Sequence, residues 1–236
     1  MAAHNSNRPP GGPHDVFMDA LRRQVMDLDL TETITPDAYT RLLKHWQLLQ
    51  EWNNAANLTT LTDPQEAAVQ LFADSLAGLH MLNRHVLPTG DILDIGSGGG
   101  FPGLALALCD PTRRYVLVDR NNKKTAFLRN AARELGISHR VSAMATDITA
   151  TGFPPGTWSV VTSKATFSTN QWVAWANTFM AGNGFVMLYR RLDESELRGI
   201  DSSLRIVDTY DYPLRGLDKR RRITLVGRNQ GATGRG

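Results

Sequence analysis

The segment Asp94-Ile95-Gly96-Ser97-Gly98-Gly99-Gly100-Phe101-Pro102-Gly103 concentrates the residues best suited to chemistry in this chain. Its glycines let the backbone take positive φ and let a ligand come close to main-chain N–H groups. Pro102 suits the first position of a helix, whose start would direct free N–H groups and a positive dipole end into the turn. A turn of this kind between a strand and a helix is where an open α/β sheet holds nucleotide-like ligands. Gly98 to Gly103 also fits G-x-G-x-x-G, so a dinucleotide is one reading. Asp94 favours another: a carboxylate fixed at a strand end repels a pyrophosphate and suits the cationic amino group of a methionine moiety.

The zwitterion of that description is S-adenosylmethionine, with S-adenosylhomocysteine as the product of methyl transfer. Gly96, Ser97, Gly98 and Gly100 of the turn are then its expected contacts, together with Asp94. Asp119 closes the second predicted strand, where its carboxylate can accept from both ribose hydroxyls or simply start a turn. Asp147 follows the third strand and could contact an adenine or cap a helix. Both readings stay open at both positions.

The elements that must position these residues follow from periodicity. Val16, Phe17, Leu21, Val25 and Leu28 recur at helical spacing, and Thr35-Pro36 opens a second helix whose apolar stripe is Tyr39, Leu42, Leu43, Trp46 and Leu49. Asp63-Pro64-Gln65-Glu66 resembles a capping box for a third helix running toward His80. From Asp91 short apolar runs alternate with amphipathic segments, the pattern of a parallel sheet with crossover helices. Strands are expected near 91–95, 115–119, 140–144, 158–162, 184–189, 205–210 and 222–227. Helices are expected at 102–109, 123–135, 148–151, 170–180 and 194–199. Asp211 to Lys219 contains Pro213 and Gly216 and no helical pattern, so the last two strands should form an antiparallel edge. The expected fold class is α/β: a Rossmann-like class I methyltransferase sheet, mostly parallel with one antiparallel edge strand, preceded by N-terminal helices. The division expected is a tail over 1–14, helices over 15–85, the core over 86–228 and a second tail over 229–236.

Composition narrows the chemistry. The single cysteine, Cys109, excludes a disulfide framework and a Cys-rich zinc site, and the six histidines show no pair at ligand spacing, so no metal is expected. Membrane-length apolar runs are missing, and a monomer in the cytoplasm is expected. Cys109 stands far along the chain from any acceptor loop, which argues against cytosine C5 methylation through a thiolate. The fourth strand ends in Ser163-Lys164-Ala165 where exocyclic-amine methylation would call for an Asn/Asp-Pro-Pro-aromatic turn. A ring nitrogen such as guanine N7 needs no general base, only positioning. The net charge of +3 is small, but Lys219-Arg220-Arg221-Arg222 and Arg190-Arg191 are clustered. Lys164, Arg190 and Arg221 are the cations that could position a nucleic acid. Trp172 and Trp175 could stack a base or pack the core. Asp74-Ser75 could hold the helical cap against the turn or lie on an exposed helix face.

These residues together resemble the bacterial small-subunit ribosomal RNA guanine-N7 methyltransferases, the glucose-inhibited division protein B family, from about Tyr39 to Val226. The resemblance rests on Trp52-Asn53, Asn57-Leu58-Thr59, Asp63-Pro64, Asp74-Ser75, the turn with Phe101-Pro102-Gly103, Phe127-Leu128-Arg129, Glu134-Leu135, Ser163-Lys164-Ala165 and Leu217-Asp218 with Arg221. It implies methyl transfer to N7 of one guanine in 16S ribosomal RNA, free or in the small subunit. By the same resemblance the cofactor would touch Gly96, Phe101, the backbone of Ile148-Thr149 and Lys164, and Arg221 would position substrate. The family usually has arginine at the Lys164 position and an acidic residue at the Thr149 position. Gln70-Leu71 stands where it usually reads Arg-His, and Tyr189-Arg190 or Arg190-Arg191 replaces a lysine-glycine pair. A diverged methyltransferase for another acceptor is the alternative.

Overall fold

The computed structural model describes residues 11–86, 89–147, 155–164, 169–218 and 220–229. The expected helix over 148–151, the cofactor contacts Ile148 and Thr149, and Lys219 lie outside the described residues. The chain opens with α1 (Pro13–Asp27), two residues inside the segment expected as a tail, and α2 (Pro36–Ala56). Thr35 caps α2, its hydroxyl accepting from the Ala38 N–H at 3.2 Å, and Asn57 ends it in the left-handed region.

The third helix is not continuous. It runs as α3 (Pro64–Glu66), a π-helical segment Ala67–Ala73 and α4 (Asp74–Leu76), and α5 (Leu79–His85) follows. A π segment leaves carbonyls without their usual partners, and here side chains take them. The Ser75 hydroxyl and the Lys164 ammonium both reach the Leu71 carbonyl, and Lys164 also takes that of Gln70.

The core follows as β1 (Asp91–Ile95), α6 (Gly103–Cys109), β2 (Arg114–Asp119), α7 (Asn122–Glu134), β3 (Val141–Ala145), β4 (Trp158–Ser163), α8 (Thr169–Phe179), β5 (Met180–Leu188), α9 (Glu194–Ile200), β6 (Leu204–Tyr212) and β7 (Arg221–Arg228). The strands form one sheet in the order β3-β2-β1-β4-β5-β7-β6. β1 to β5 run parallel, and β7 inserts antiparallel between β5 and the edge strand β6. The strand order reverses between β1 and β4, so the crevice at their carboxyl ends is the place where a doubly wound sheet binds its ligand.

One buried cluster runs from Phe17, Leu42 and Phe72 of the N-terminal helices through Leu104 and Phe127 to Ile223 and Leu225 of the sheet. The helices therefore cover one face of the sheet. Trp46 and Trp172 are buried and Trp175 packs against the second cluster, so core packing is the role the structure gives both members of the Trp172-Trp175 pair.

Candidate active site

Asp94 stands one residue before the end of β1, fully buried and paired in the ladder with Leu117 on one side and Thr162 on the other. Its Oδ2 accepts from the Gly103 N–H at 2.9 Å, while Oδ1 is buried with no hydrogen-bond partner. Leaving a carboxylate oxygen unsatisfied in the interior is costly. Burial holds the carboxyl up at about 7 despite the Gly103 bond and the nearby Lys164. An incoming cation would relieve both penalties.

The turn is largely closed on itself. Gly96 and Ser97 donate to the Val118 carbonyl, Gly98 to Asp119 Oδ2 at 3.0 Å, and Gly100 and Phe101 to the Ser97 carbonyl. This corrects the expectation that a helix start would leave N–H groups free for the ligand. Pro102 is the N-cap, Gly103 is held by Asp94, and Leu104 and Ala105 both donate to Gly100. With these donors already used, a pyrophosphate would find few partners, which weighs against the dinucleotide reading. The Ser97 hydroxyl likewise turns inward, to the Asp94 carbonyl at 2.9 Å.

What the turn offers is bare backbone. Gly98 has φ +54°, and a side chain there would meet only the Gly96 carbonyl at 3.8 Å, so this is the open face. Gly99 and Gly100 face the opposite way, against Leu49 and His45 of α2. Asp119 stands beside the open face. Its Oδ1 takes the Asn121 N–H at 2.9 Å, as a turn-starting aspartate would, and each oxygen retains a lone pair for a ribose hydroxyl. Asp147 lies exposed beyond β3.

Beneath the turn lies a residue that periodicity alone did not single out. His45 is fully buried, its Nε2–H donates to the Gly99 carbonyl at 2.8 Å, and its ring stacks on Phe101 at 5.2 Å. Phe72 closes edge-on against Phe101 at 4.9 Å. The Phe101 ring is turned into this aromatic group and braces the turn from below. The usable signal was a histidine one turn before Leu49 within an apolar stripe. The neighbouring segment is fixed by Asn53, whose side chain accepts from the N–H groups of Leu58 and Thr59 and donates to the Thr59 carbonyl.

Burial pushes the His45 imidazole down to about 4. A histidine lowered in the folded state contributes stability that is complete above its unfolded value near 6.5 and is lost as pH falls toward 4. Asp94, raised from its ordinary value, has the opposite sign: its contribution is complete in acid and is lost as pH rises through 7. His45→Phe should therefore fall behind the parent protein by about 1.4 kcal/mol more per pH unit between pH 4 and 6.5, with a constant gap above. Urea unfolding across this range measures it, and a gap that does not vary with pH would refute the buried neutral histidine.

Lys164, a sequence candidate for both cofactor and acceptor, is mostly buried. Its ammonium lies 2.7 Å from Asp74 Oδ2 and 2.7 Å from the Gln70 carbonyl. Asp74 and Ser75 are themselves buried, which removes the exposed-face reading for them. Arg190 and Arg221 are exposed near the carboxyl end of β5, with Arg220 donating to the Asp211 carbonyl and Arg222 paired with the Asp211 carboxylate. Cys109 is buried and its thiol is pushed up by that burial and by Asp110, in keeping with an inert role. Among the described residues no group of three His, Cys, Asp or Glu could hold a metal ion, and no helix is long and apolar enough to cross a membrane.

Comparison with known proteins places this geometry. The family described as GidB, rRNA small subunit methyltransferase G, matches residues 38–224. Ribosomal RNA small subunit methyltransferase G of Paracidovorax citrulli is 34% identical over 228 residues, covering 89% of this chain and 88% of that protein. The protein of the same description from Neisseria meningitidis serogroup B is 35% identical over 212 residues, covering 86% and 93%. Among solved structures, a SAM-dependent methyltransferase from Aquifex aeolicus superposes with a TM-score of 0.51 at 13% identity, over 68% of this chain and 92% of that one, and so shares the fold.

Proposed function

Because the chain belongs to the GidB family of small-subunit ribosomal RNA methyltransferases, we propose that it transfers a methyl group from S-adenosylmethionine to N7 of a guanine in 16S ribosomal RNA. The observation that carries the donor half is the buried, unpartnered Oδ1 of Asp94 beside the open face of Gly98, at the switch point of the sheet. That arrangement fits a ligand bearing an ammonium group and an adenosyl moiety. Asp94 would receive the amino group, Asp119 the ribose hydroxyls, and Gly96 and Gly98 the close approach of the nucleoside. Asp147, Ile148 and Thr149 remain proposed for the adenine end.

S-adenosylmethionine supplies a methyl group on a cationic sulfur, open to in-line displacement. Guanine N7 carries a free lone pair at neutral pH, so the protein need not remove a proton from the acceptor. Its task is to align N7 with the methyl group and to hold the RNA there. The methyl bond moves from sulfur to N7, and the positive charge moves with it to the base. Arg190 and Arg221 are exposed on the same rim and are suited to phosphate oxygens.

The test is nucleoside mass spectrometry on small subunits prepared without this enzyme, before and after incubation with protein and labelled S-adenosylmethionine. New 7-methylguanosine is expected; label in a different nucleoside or in a small molecule would overturn the assignment. Arg221→Ala should raise KM for the subunit about tenfold and reduce the salt dependence of binding by about one phosphate contact. Unchanged salt dependence would remove Arg221 from the RNA interface.

A further inference from the structure

We infer that Asp74 and Tyr212 are positioning residues for the RNA substrate, acting by fixing the strand that presents Arg221. The inference rests on the functional reading above. The Asp74 carboxylate is buried and divided between two partners from different strands on the β4 side of the crevice. Oδ2 meets the Lys164 ammonium at the end of β4, and Oδ1 accepts from the Tyr212 hydroxyl at 2.7 Å at the end of β6. Tyr212 lies directly opposite Arg221 in the β6–β7 ladder, close enough for the arginine's charge to act on its phenol.

A second tie leads to the same hairpin. Gln24 of α1 is fully buried, donating to the Pro213 carbonyl at 2.9 Å and accepting from the Arg215 N–H at 2.8 Å. Arg215 in turn pairs with Asp27. The connection between β6 and β7 is thus held by the N-terminal helices at its base, and at Tyr212 by Asp74. Since Lys164 anchors that same Asp74 to β4, the hairpin is placed relative to the strand beside the donor site. Tyr189, just beyond β5, adds a brace, its hydroxyl donating to the Ser75 carbonyl at 2.7 Å.

Two cationic or polar partners on one buried carboxylate form a rigid junction, because losing either leaves the others unsatisfied. Asp74→Ala removes both links and risks unfolding. Tyr212→Phe removes one hydroxyl and keeps the ring, so it is the sharper variant. Its assay is methyl transfer to undermethylated small subunits, with calorimetric titration of S-adenosylmethionine alongside.

Tyr212→Phe is expected to raise KM for the subunit about fivefold while the Kd of S-adenosylmethionine stays within about twofold of the parent. Arg221→Ala added to Tyr212→Phe should raise KM only about twofold further, to about the tenfold of Arg221→Ala alone, since the tyrosine acts through the arginine. Effects on KM that multiply, or an equal loss of S-adenosylmethionine affinity, would overturn the inference while the parent protein still labels the subunit. A parent protein that binds S-adenosylmethionine and labels no subunit would overturn the functional reading and this inference together.

Discussion

Asp94→Asn is expected to weaken S-adenosylmethionine binding about 100-fold, corresponding to roughly 2.7 kcal/mol, the scale of a buried hydrogen bond to a charged group. Asparagine keeps the volume and can still accept from the Gly103 N–H, so the fold should survive. What disappears is the negative charge. In the parent protein burial holds the Asp94 carboxyl near 7, so the side chain is partly protonated at neutral pH. A ligand ammonium favours the carboxylate, and binding should release a proton. Affinity should then strengthen as pH rises from about 5 toward 7 and level off above that, before an α-amino group of ordinary pKa, about 7.7–8.0, loses its proton.

Calorimetry in buffers of different ionisation enthalpy reads that proton directly. The Asn variant should show weak binding with no proton release linked to position 94. Parent-like affinity in this variant would mean that Asp94 only secures Gly103, and the amino-group assignment would have to move elsewhere.

The second large effect lies at that same junction. An alanine at position 103 would place its methyl 2.5 Å from Leu117 Cδ2 and 2.7 Å from the Cβ and Oδ2 of Asp94, and the Cβ, fixed to the strand backbone, cannot swing aside. Overpacking of this kind costs about 1–3 kcal/mol, so Gly103→Ala should lower Tm by about 2–12 °C. Gly98→Ala makes an informative contrast, because its methyl would meet only the Gly96 carbonyl at 3.8 Å.

The cost at Gly98 is the positive φ alone, about 1–2 kcal/mol, yet the added methyl stands on the ligand face. Gly98→Ala should therefore unfold at a temperature nearer the parent's and show little stabilisation by S-adenosylmethionine. Gly103→Ala should lose more stability in the absence of ligand. Thermal unfolding with and without S-adenosylmethionine distinguishes them, and the reverse order would show that the open face has been assigned to the wrong glycine.

Much of this was open to a reading of the chain alone. Continuous apolar runs with β-branched residues mark buried parallel strands, and glycines at a strand end mark a ligand turn; both are local codes. Asp94 and Asp119 were legible because the ends of strands are legible. β1 lies where the apolar run placed it, and the other strands differ from expectation mainly at their ends, β5 by several residues at its start. The third helix was misread as continuous because its apolar spacing carries no record of side chains from β4 and its own next turn competing for the Gln70 and Leu71 carbonyls.

By itself, then, the sequence determined the α/β class, the position of the glycine-rich turn and the carboxylates beside it, since each depends on residues within a few positions of one another. The tertiary structure alone decided that β7 would insert between β5 and β6, that His45 would hold the turn from beneath, and that the donors at the helix start would be spent inside the protein. It also paired Lys164 with Asp74, and joined Asp74 to Tyr212, 138 positions away. Such pairings are set by which surfaces meet when the sheet and helices pack, and a lysine or tyrosine has the same local pattern whether it will face solvent or a buried carboxylate.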